Sequence, residues 1–418
     1  MNIWIVNHYA IPPNMGGLVR HYYFSKYLQK KGHNVKIFTS SKIHNTDINM
    51  IKDRSLYKEE IEDGVEYTFV KSRDYKGNGM DRVINMMDLP FKTWKAMKLF
   101  YERQKPDVIY TSSPDLFVAF FALRFGRKYK IPVVVEVRDL WPESIVEYNR
   151  MSRKNPIIQV LYQLEKWIYK KADQLIFTME GGKDYICDKG WEKEINLSKV
   201  NHVNNGVDLE EFDENQKIYQ ITDRDLEDDN YFKVLYMGSI RMVNNLRLLL
   251  KAAEELKRRK ISNIKILVYG DGTEKEALQK EAEKLDVNMY FKGRVKKKYI
   301  PYILTKADVN LINLQNSNLE KYGCSWNKLF EYMASGKPVA SNVKMGYDLI
   351  DRYKCGISRE IHSEQEYADL LVELSSMDRE NYIRMCENSR KAGEEYDYSV
   401  LTDKILEVIE KAMKSKRP

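Results

Sequence analysis

The stretch MNIWIVNHYAIPPNMGGLVRHYYFSKYLQKKGHNVKIFTSS, residues 1–41, decides the fold. A short apolar run, IWIV, stops at the polar pair Asn7 and His8, and a second run, VKIF, follows Asn34. Between them a helix is expected from about Gly17 to Lys31. Leu18, Tyr22, Phe24, Tyr27 and Leu28 lie mainly along one face of it, and Gly32 occupies the position favoured for a left-handed residue after a helix. Strand, helix and strand in this order make a βα unit of a parallel sheet. The loop NHYAIPPNMGG is long for such a connection. A dinucleotide fingerprint needs G-x-G-x-x-G in a tight turn, and this loop offers only Gly16 and Gly17, which excludes that reading. Glycines at a helix start instead let backbone N–H groups reach a phosphate or sugar directly, and Arg20, one turn in, adds positive charge.

The same alternation continues along the chain. Strands are expected at DVIYTS, PVVVEV and QLIFT in the first half and at KVLYMG, KILVYG, NMYFKG, ADVNLI and KPVAS in the second. Helical stretches such as NNLRLLLKAAEELKRR and TEKEALQKEAEKL separate them. With 418 residues, two domains are the natural expectation. The predicted class is α/β, two consecutive Rossmann-like domains with the active site in the cleft between them, because open α/β sheets bind ligands beyond the carboxyl ends of their strands. The expected boundaries are 1–206, then a linker and second domain over 207–392, then a C-terminal helix over 393–418. ITDRDLEDDNYF reads as a solvated linker, so Asp228 and Asp229 are not taken as metal ligands. Leu401, Ile405, Val408, Ile409 and Met413 give the last helix an apolar face that either caps the second domain or crosses back to the first.

Composition bounds the function. Apolar residues make up 43% of the chain, and no run approaches the roughly 20 apolar residues of a spanning helix. NIWIV is too short and lacks the basic flank of a signal peptide, which makes the cytoplasm the expected location. Cys187, Cys324, Cys355 and Cys386 show no CxxC spacing, so reduced thiols are expected rather than disulfides or zinc. Residues 1–200 carry 33 Lys+Arg against 24 Asp+Glu, and residues 201–418 carry 36 against 37. The basic half fits a phosphorylated ligand or an anionic membrane surface; no nucleic-acid motif accompanies it. Residues 71–99 mix Met and aromatic residues with Lys and Arg, and two readings stand, a face on a membrane interface or a helix core against the sheet.

In the second half the richest strand-end segment is NSNLEKYGCSWNKLFEYMASGKPVASN. WNKLFEYMAS is an expected helix whose free N–H groups would make an anion site. Lys328 in its first turn opposes the helix dipole, a placement better explained by a nearby anion than by helix stability. Glu331, one turn on, suits hydrogen bonds from sugar hydroxyls.

This segment resembles the donor-binding stretch of retaining family-4 glycosyltransferases of the GT-B fold, in particular the bacterial surface-polysaccharide branch related to N-acetyl-fucosamine transferases. NHYAIPPNMGGLVRHY, EVRDLWPES, NNGVD, YMGSIR, VYGDG and FKGRV agree with it in order along nearly the whole chain. The resemblance implies a nucleotide sugar as donor, a glycan or lipid-diphosphate-linked sugar as acceptor, and no metal or other cofactor. It implies that Glu331 binds the ribose, that amides around Gly323, Cys324 and Ser325 hold the diphosphate, and that Lys328 and Arg241 offset its charge near Gly238. Gly270, Asp271, Gly272, Arg294 and Val295 would form the base pocket, and Gly16, Gly17 and Arg20 would close on the diphosphate. The chain departs from the family pattern in three places. Gly323 stands where the first Glu of a Glu-x7-Glu pair is usual, with Glu320 off register; GSIRMVNN lacks the usual Gly-Arg-Leu and Lys-Gly; and Arg138–Asp139 replaces a His-Asp pair. Arg138 stays protonated and cannot be a base. It would bind the departing phosphate or a phosphorylated acceptor, while Asp139 or Glu143 orients the attacking hydroxyl; Asp139 also reads as a helix N-cap. Two rival readings are an enzyme of the same architecture like the UDP-N-acetylglucosamine 2-epimerases, which the motif order fits less well, and a non-catalytic bilobal sugar-binding protein, which predicts secretion and no nucleotide site.

Overall fold

The computed structural model describes residues 1–44, 46–77, 79–149 and 151–415. Residues 416–418 of the expected terminal helix and Asn78 of the 71–99 segment lie outside these. The chain forms two compact units, one of Met1–Asn204 with the segment from Tyr398 onward, the other of Asn205–Asp397.

The first unit holds an eight-stranded sheet. Its strands are β1 (Asn2–Val6), β2 (Asn34–Ser40), β3 (Tyr57–Glu62), β4 (Val65–Val70), β5 (Val108–Ser112), β6 (Val133–Val137), β7 (Gln174–Phe177) and β8 (Val200–His202), in the order β3-β4-β2-β1-β5-β6-β7-β8. All pairings are parallel except β3 with β4. That hairpin was not expected from the sequence, although Asp63–Gly64, with φ of 48° and 79°, is a two-residue turn with a legible signature. Its edge strand, YKEEIE, is mostly polar, which hides it from an apolar-run reading and blunts the open edge. The helix after β1 spans Arg20–Lys30 and so begins three residues later than expected, because a 3-10 turn at Pro13–Met15 takes up the loop. Helices Met80–Arg103, Leu116–Tyr129 and Pro156–Lys171 pack side by side. The terminal helix Tyr398–Lys414 packs on Arg20–Lys30 and against β5, β6 and β7, burying Leu401, Ile405, Val408 and Ile409.

The second unit is a six-stranded parallel sheet of β9 (Phe232–Met237), β10 (Ile264–Tyr269), β11 (Met289–Gly293), β12 (Val309–Ile312), β13 (Val339–Ser341) and β14 (Gly356–Ser358), ordered β11-β10-β9-β12-β13-β14. The acidic stretch read as a solvated linker is instead strapped onto this unit. Leu209–Ile218 is a helix capped by Asp208. Asp223 and Asp225 then pair with Lys292 at 2.8 and 2.6 Å, Asp225 and Asp228 pair with Lys265 at 3.0 and 3.4 Å, and Leu226 is fully buried. Lysines on β10 and β11 need these carboxylates, a demand that lies far away in sequence.

In each unit the strand order reverses beside the first strand, between β1 and β5 and between β9 and β12. Loops leaving the carboxyl ends at such a reversal diverge and open a crevice for ligand.

Candidate functional site

In the second unit the residues expected to hold a donor leave the carboxyl end of one sheet. Gly238 follows β9, Gly270–Gly272 follow β10, Arg294 and Val295 follow β11, and Gly323–Ser325 precede the helix Asn327–Ala334. The residue before that helix, Trp326, makes no side-chain capping bond to it. Its placement comes from Tyr332, fully buried, whose hydroxyl donates to the Met237 carbonyl and accepts from the Met237 N–H, both at 3.0 Å. Lys328, one turn earlier on the same face, is thereby brought to Gly238, where a Cβ would stand 3.5 Å from its Nζ. The ammonium is buried, has no hydrogen-bond partner among the described residues and lies 4.7 Å from the centre of the Tyr236 ring. Burial alone pushes it down to about 8. A buried cation with a π face on one side and no anion is unfavourable by itself and calls for an anionic ligand.

Glu331 is half-buried, and its carboxylate makes no hydrogen bond or ion pair among the described residues. Burial raises its pKa, with Lys297 opposing and Glu211 adding. Asn205 of the NNGVD motif fastens the loop before the helix: its N–H donates to Ser325 Oγ at 3.1 Å and its side-chain amide to the Ser325 carbonyl. Cys324 is a neutral thiol pushed up to about 12, first by burial and then by Asp348 and Glu320. Glu320, off register in sequence, accepts from the Ser317 N–H at 2.8 Å and shapes the loop. Gly270 and Gly272 have a structural reason to be glycine: a Cβ would come within 1.8 Å of the Gly238 carbonyl oxygen and 2.2 Å of that of Ile240. Arg241, Asp271 and Arg294 are exposed.

In the first unit several expected residues stand elsewhere than the sequence suggested. Arg20 does not face the loop. It is 1% exposed, and its guanidinium donates to Glu136 at 2.7 Å and to the carbonyls of Val203 and Asn204. The reason is Glu136, buried in VVVEV and also accepting from Tyr110 and Ser112. Burial pushes this carboxyl up, but Arg20, His21 and Arg138 outweigh burial and hold it well below the usual range. Glu143 likewise turns out to be a structural hub. Tyr162, Arg153 and Lys189 all donate to its carboxylate, which leaves it poorly suited to orient a substrate. Arg138 remains open: its Nε is buried without a hydrogen-bond partner among the described residues, and burial lowers its pKa against the pull of Glu136. Asp139 accepts from the Ser144 hydroxyl at 3.3 Å rather than capping the helix Glu143–Asn149, and burial raises its pKa.

Sequence reasoning missed His8 and Asp115, which sit at the β1–β5 reversal. His8 Nδ1 is 2.6 Å from Asp115 and its Nε2 is 2.7 Å from Asn85 Oδ1; Asn85 is oriented by donating its side-chain amide to the Arg73 carbonyl. Both ring nitrogens therefore face acceptors, which ties Asn7–Ile11 into the core. The remainder of the opening loop is its tip. Gly17 is exposed, and a Cβ there meets nothing within 4 Å. Gly17→Val is expected to shift the melting temperature by no more than about 2 °C. If the tip amides contact the donor, turnover falls about a hundredfold; a large loss of stability with normal turnover makes the loop a connection only.

Residues 15–211 match the model described as Glycosyltransferase Family 4, and residues 219–392 match that of Glycosyl transferases group 1. No curated protein sequence matches the chain. Among solved structures, sucrose-phosphate synthase from Thermosynechococcus elongatus superposes with a TM-score of 0.73 at 14% identity, covering 99% of this chain and 100% of the other. Anabaena HepE in complex with UDP gives 0.69 at 14%, covering 98% and 100%. A trehalose-6-phosphate protein from E. coli bound with UDP-2-fluoro glucose gives 0.72 at 13%, covering 98% and 99%. Carrying a Family 4 domain followed by a group 1 domain on two Rossmann-like sheets, the chain is a glycosyltransferase of the GT-B fold.

Proposed function

We infer that this glycosyltransferase moves a sugar from a nucleoside diphosphate, a UDP-linked N-acetyl or deoxy sugar, with retention of configuration onto a glycan or lipid-diphosphate-linked acceptor in surface-polysaccharide synthesis. The observation that carries the donor side is Lys328, a buried ammonium with no hydrogen-bond partner among the described residues, at the strand reversal of the second unit. Solved neighbours in complex with UDP and with UDP-glucose support the same ligand class. Lys328 and the free N–H groups of the Asn327–Ala334 helix would hold the diphosphate, with Glu331 accepting from the ribose hydroxyls. In the transfer the bond from the anomeric carbon to the phosphate oxygen breaks, the acceptor oxygen bonds to that carbon, and the acceptor proton passes to the departing phosphate. The protein then supplies positioning and stabilisation of phosphate charge rather than a base. Arg138, cationic and unpartnered at its Nε, suits a phosphate on the first unit, and Asp139 is the carboxyl left to orient an acceptor hydroxyl.

A panel of nucleotide sugars read by thermal shift tests this reading. At least one UDP-linked sugar is expected to raise the melting temperature, and Glu331→Ala is expected to weaken that ligand about ten- to a hundredfold with an unchanged ligand-free melting temperature. A panel in which no nucleotide sugar shifts the transition rejects the donor assignment.

A further inference from the structure

From Met80 onward the segment read from sequence as either membrane face or helix core lies in one helix with a buried face and an exposed face. In Met80–Arg103 the residues Leu89, Thr93, Ala96, Met97 and Phe100 are buried. The opposite face is open: Met80 is 72% exposed, Val83 49%, Ile84 37%, Met87 46% and Phe91 56%. These five recur at i, i+3, i+4, i+7 and i+11, a single stripe about 16 Å long at 1.5 Å per residue. The stripe does not end with its own helix. Phe91 meets Phe121 of Leu116–Tyr129 at 4.6 Å between ring centres, and Phe120 meets Trp167 of Pro156–Lys171 at 4.9 Å. The third helix adds Ile157 and Val160, 67% and 68% exposed in its first turns.

The charge on these three helices is one-sided, with 11 Lys+Arg against 4 Asp+Glu, one of the acids being the buried Glu165. Asp88 is taken up by Lys92. Lys95, Lys98, Arg124, Arg127 and Lys128 are exposed and make no ion pair among the described residues. The charged groups of Arg124, Arg127 and Lys128 lie 5.9, 5.9 and 5.8 Å from the ring centres of Phe120, Trp167 and Trp94, so cations and aromatic rings share this face. The helices run parallel to one another. Their first halves, at the carboxyl end of the sheet, carry most of the exposed apolar residues, and their second halves carry most of the cations, Arg82 and Leu99 being the exceptions. Apolar side chains beside unpaired cations match an interface in which acyl chains lie next to anionic headgroups.

We propose that this three-helix face of the first unit docks on an anionic lipid surface, with the Met80–Phe91 stripe entering the acyl boundary and Lys95, Lys98, Arg124, Arg127 and Lys128 on the headgroups. The docking leaves the loops at the carboxyl ends of β1, β5 and β6 near the bilayer, and it stands whether or not the donor assignment holds.

The test is co-sedimentation of the full chain at low salt with phosphatidylcholine vesicles, with and without about one-third phosphatidylglycerol. The anionic lipid is expected to raise the bound fraction about fivefold or more, and added salt to reverse the gain. Met87→Ser with Phe91→Ser, and separately Arg124→Glu with Lys128→Glu, are each expected to lower partitioning about tenfold with an unchanged melting temperature. Absence of binding to anionic vesicles overturns the proposal, as does full binding by the charge-reversed pair, which keeps the test decisive even if the apolar pair fails to fold. A dimer in light scattering that Met87→Ser and Phe91→Ser dissolve, without vesicle binding, overturns it as well and marks a protein interface.

Discussion

Lys328→Met is expected to cut turnover with the nucleotide-sugar donor by about a hundred- to a thousandfold while raising the melting temperature of the ligand-free protein. The two effects share one cause. Methionine fills the same space beside Tyr236 without the buried charge, which relieves the free protein and removes the cation that the diphosphate needs. Because burial holds Lys328 near 8 rather than 10.5, the unfolded chain binds more protons between these values, and wild-type stability therefore rises with pH across that window. The stability gap between variant and wild type is accordingly widest below about pH 8 and closes towards 10.5. Donor affinity moves the other way, falling in the wild type as pH climbs past about 8. Thermal melts and steady-state kinetics over this range check both; a variant that is less stable and fully active would make Lys328 a packing residue.

Arg20→Met is expected to destabilise the first unit by about 3–5 kcal/mol, because it leaves Glu136 charged and buried after losing its closest partner. For a unit of this size that is a fall in melting temperature on the order of 10 °C. Arg20→Met combined with Glu136→Leu removes both charges and is expected to recover most of the loss. Failure of the double variant to recover would place the importance of Arg20 in its bonds to the Val203 and Asn204 carbonyls, where the chain leaves the first unit.

The contrast between these residues shows what the sequence made legible. Lys328 stood out in the sequence because its oddity is local, a cation in the first turn of a helix opposing the helix dipole wherever the helix lies; the structure adds that its ammonium is buried, and its ligand is the proposal tested below. Arg20 was misread because its partner is 116 residues away. The available signal was the partner, since a Glu inside VVVEV requires a counter-charge. Glu143 failed for the same reason, its carboxylate being claimed by Arg153, Tyr162 and Lys189. The parallel sheets were readable from apolar runs, but β3 is a polar edge strand, and β8 and β14, at three residues each, leave no periodic trace. His8 and Asp115 meet only through the β1–β5 reversal, which no local pattern encodes. Residues 71–99 mix apolar and basic side chains without a legible order in sequence; from Met80 onward they lie in one helix with a buried face against the unit and an exposed face.

Calorimetric titration of UDP into the wild type and into Lys328→Met near pH 7 tests the donor site most directly. The wild type should bind one UDP per chain, and the variant should bind it at least about a hundredfold more weakly while melting at an equal or higher temperature. Equal UDP affinity in the two proteins, or no binding to the wild type, contradicts the assignment of the buried ammonium to the diphosphate.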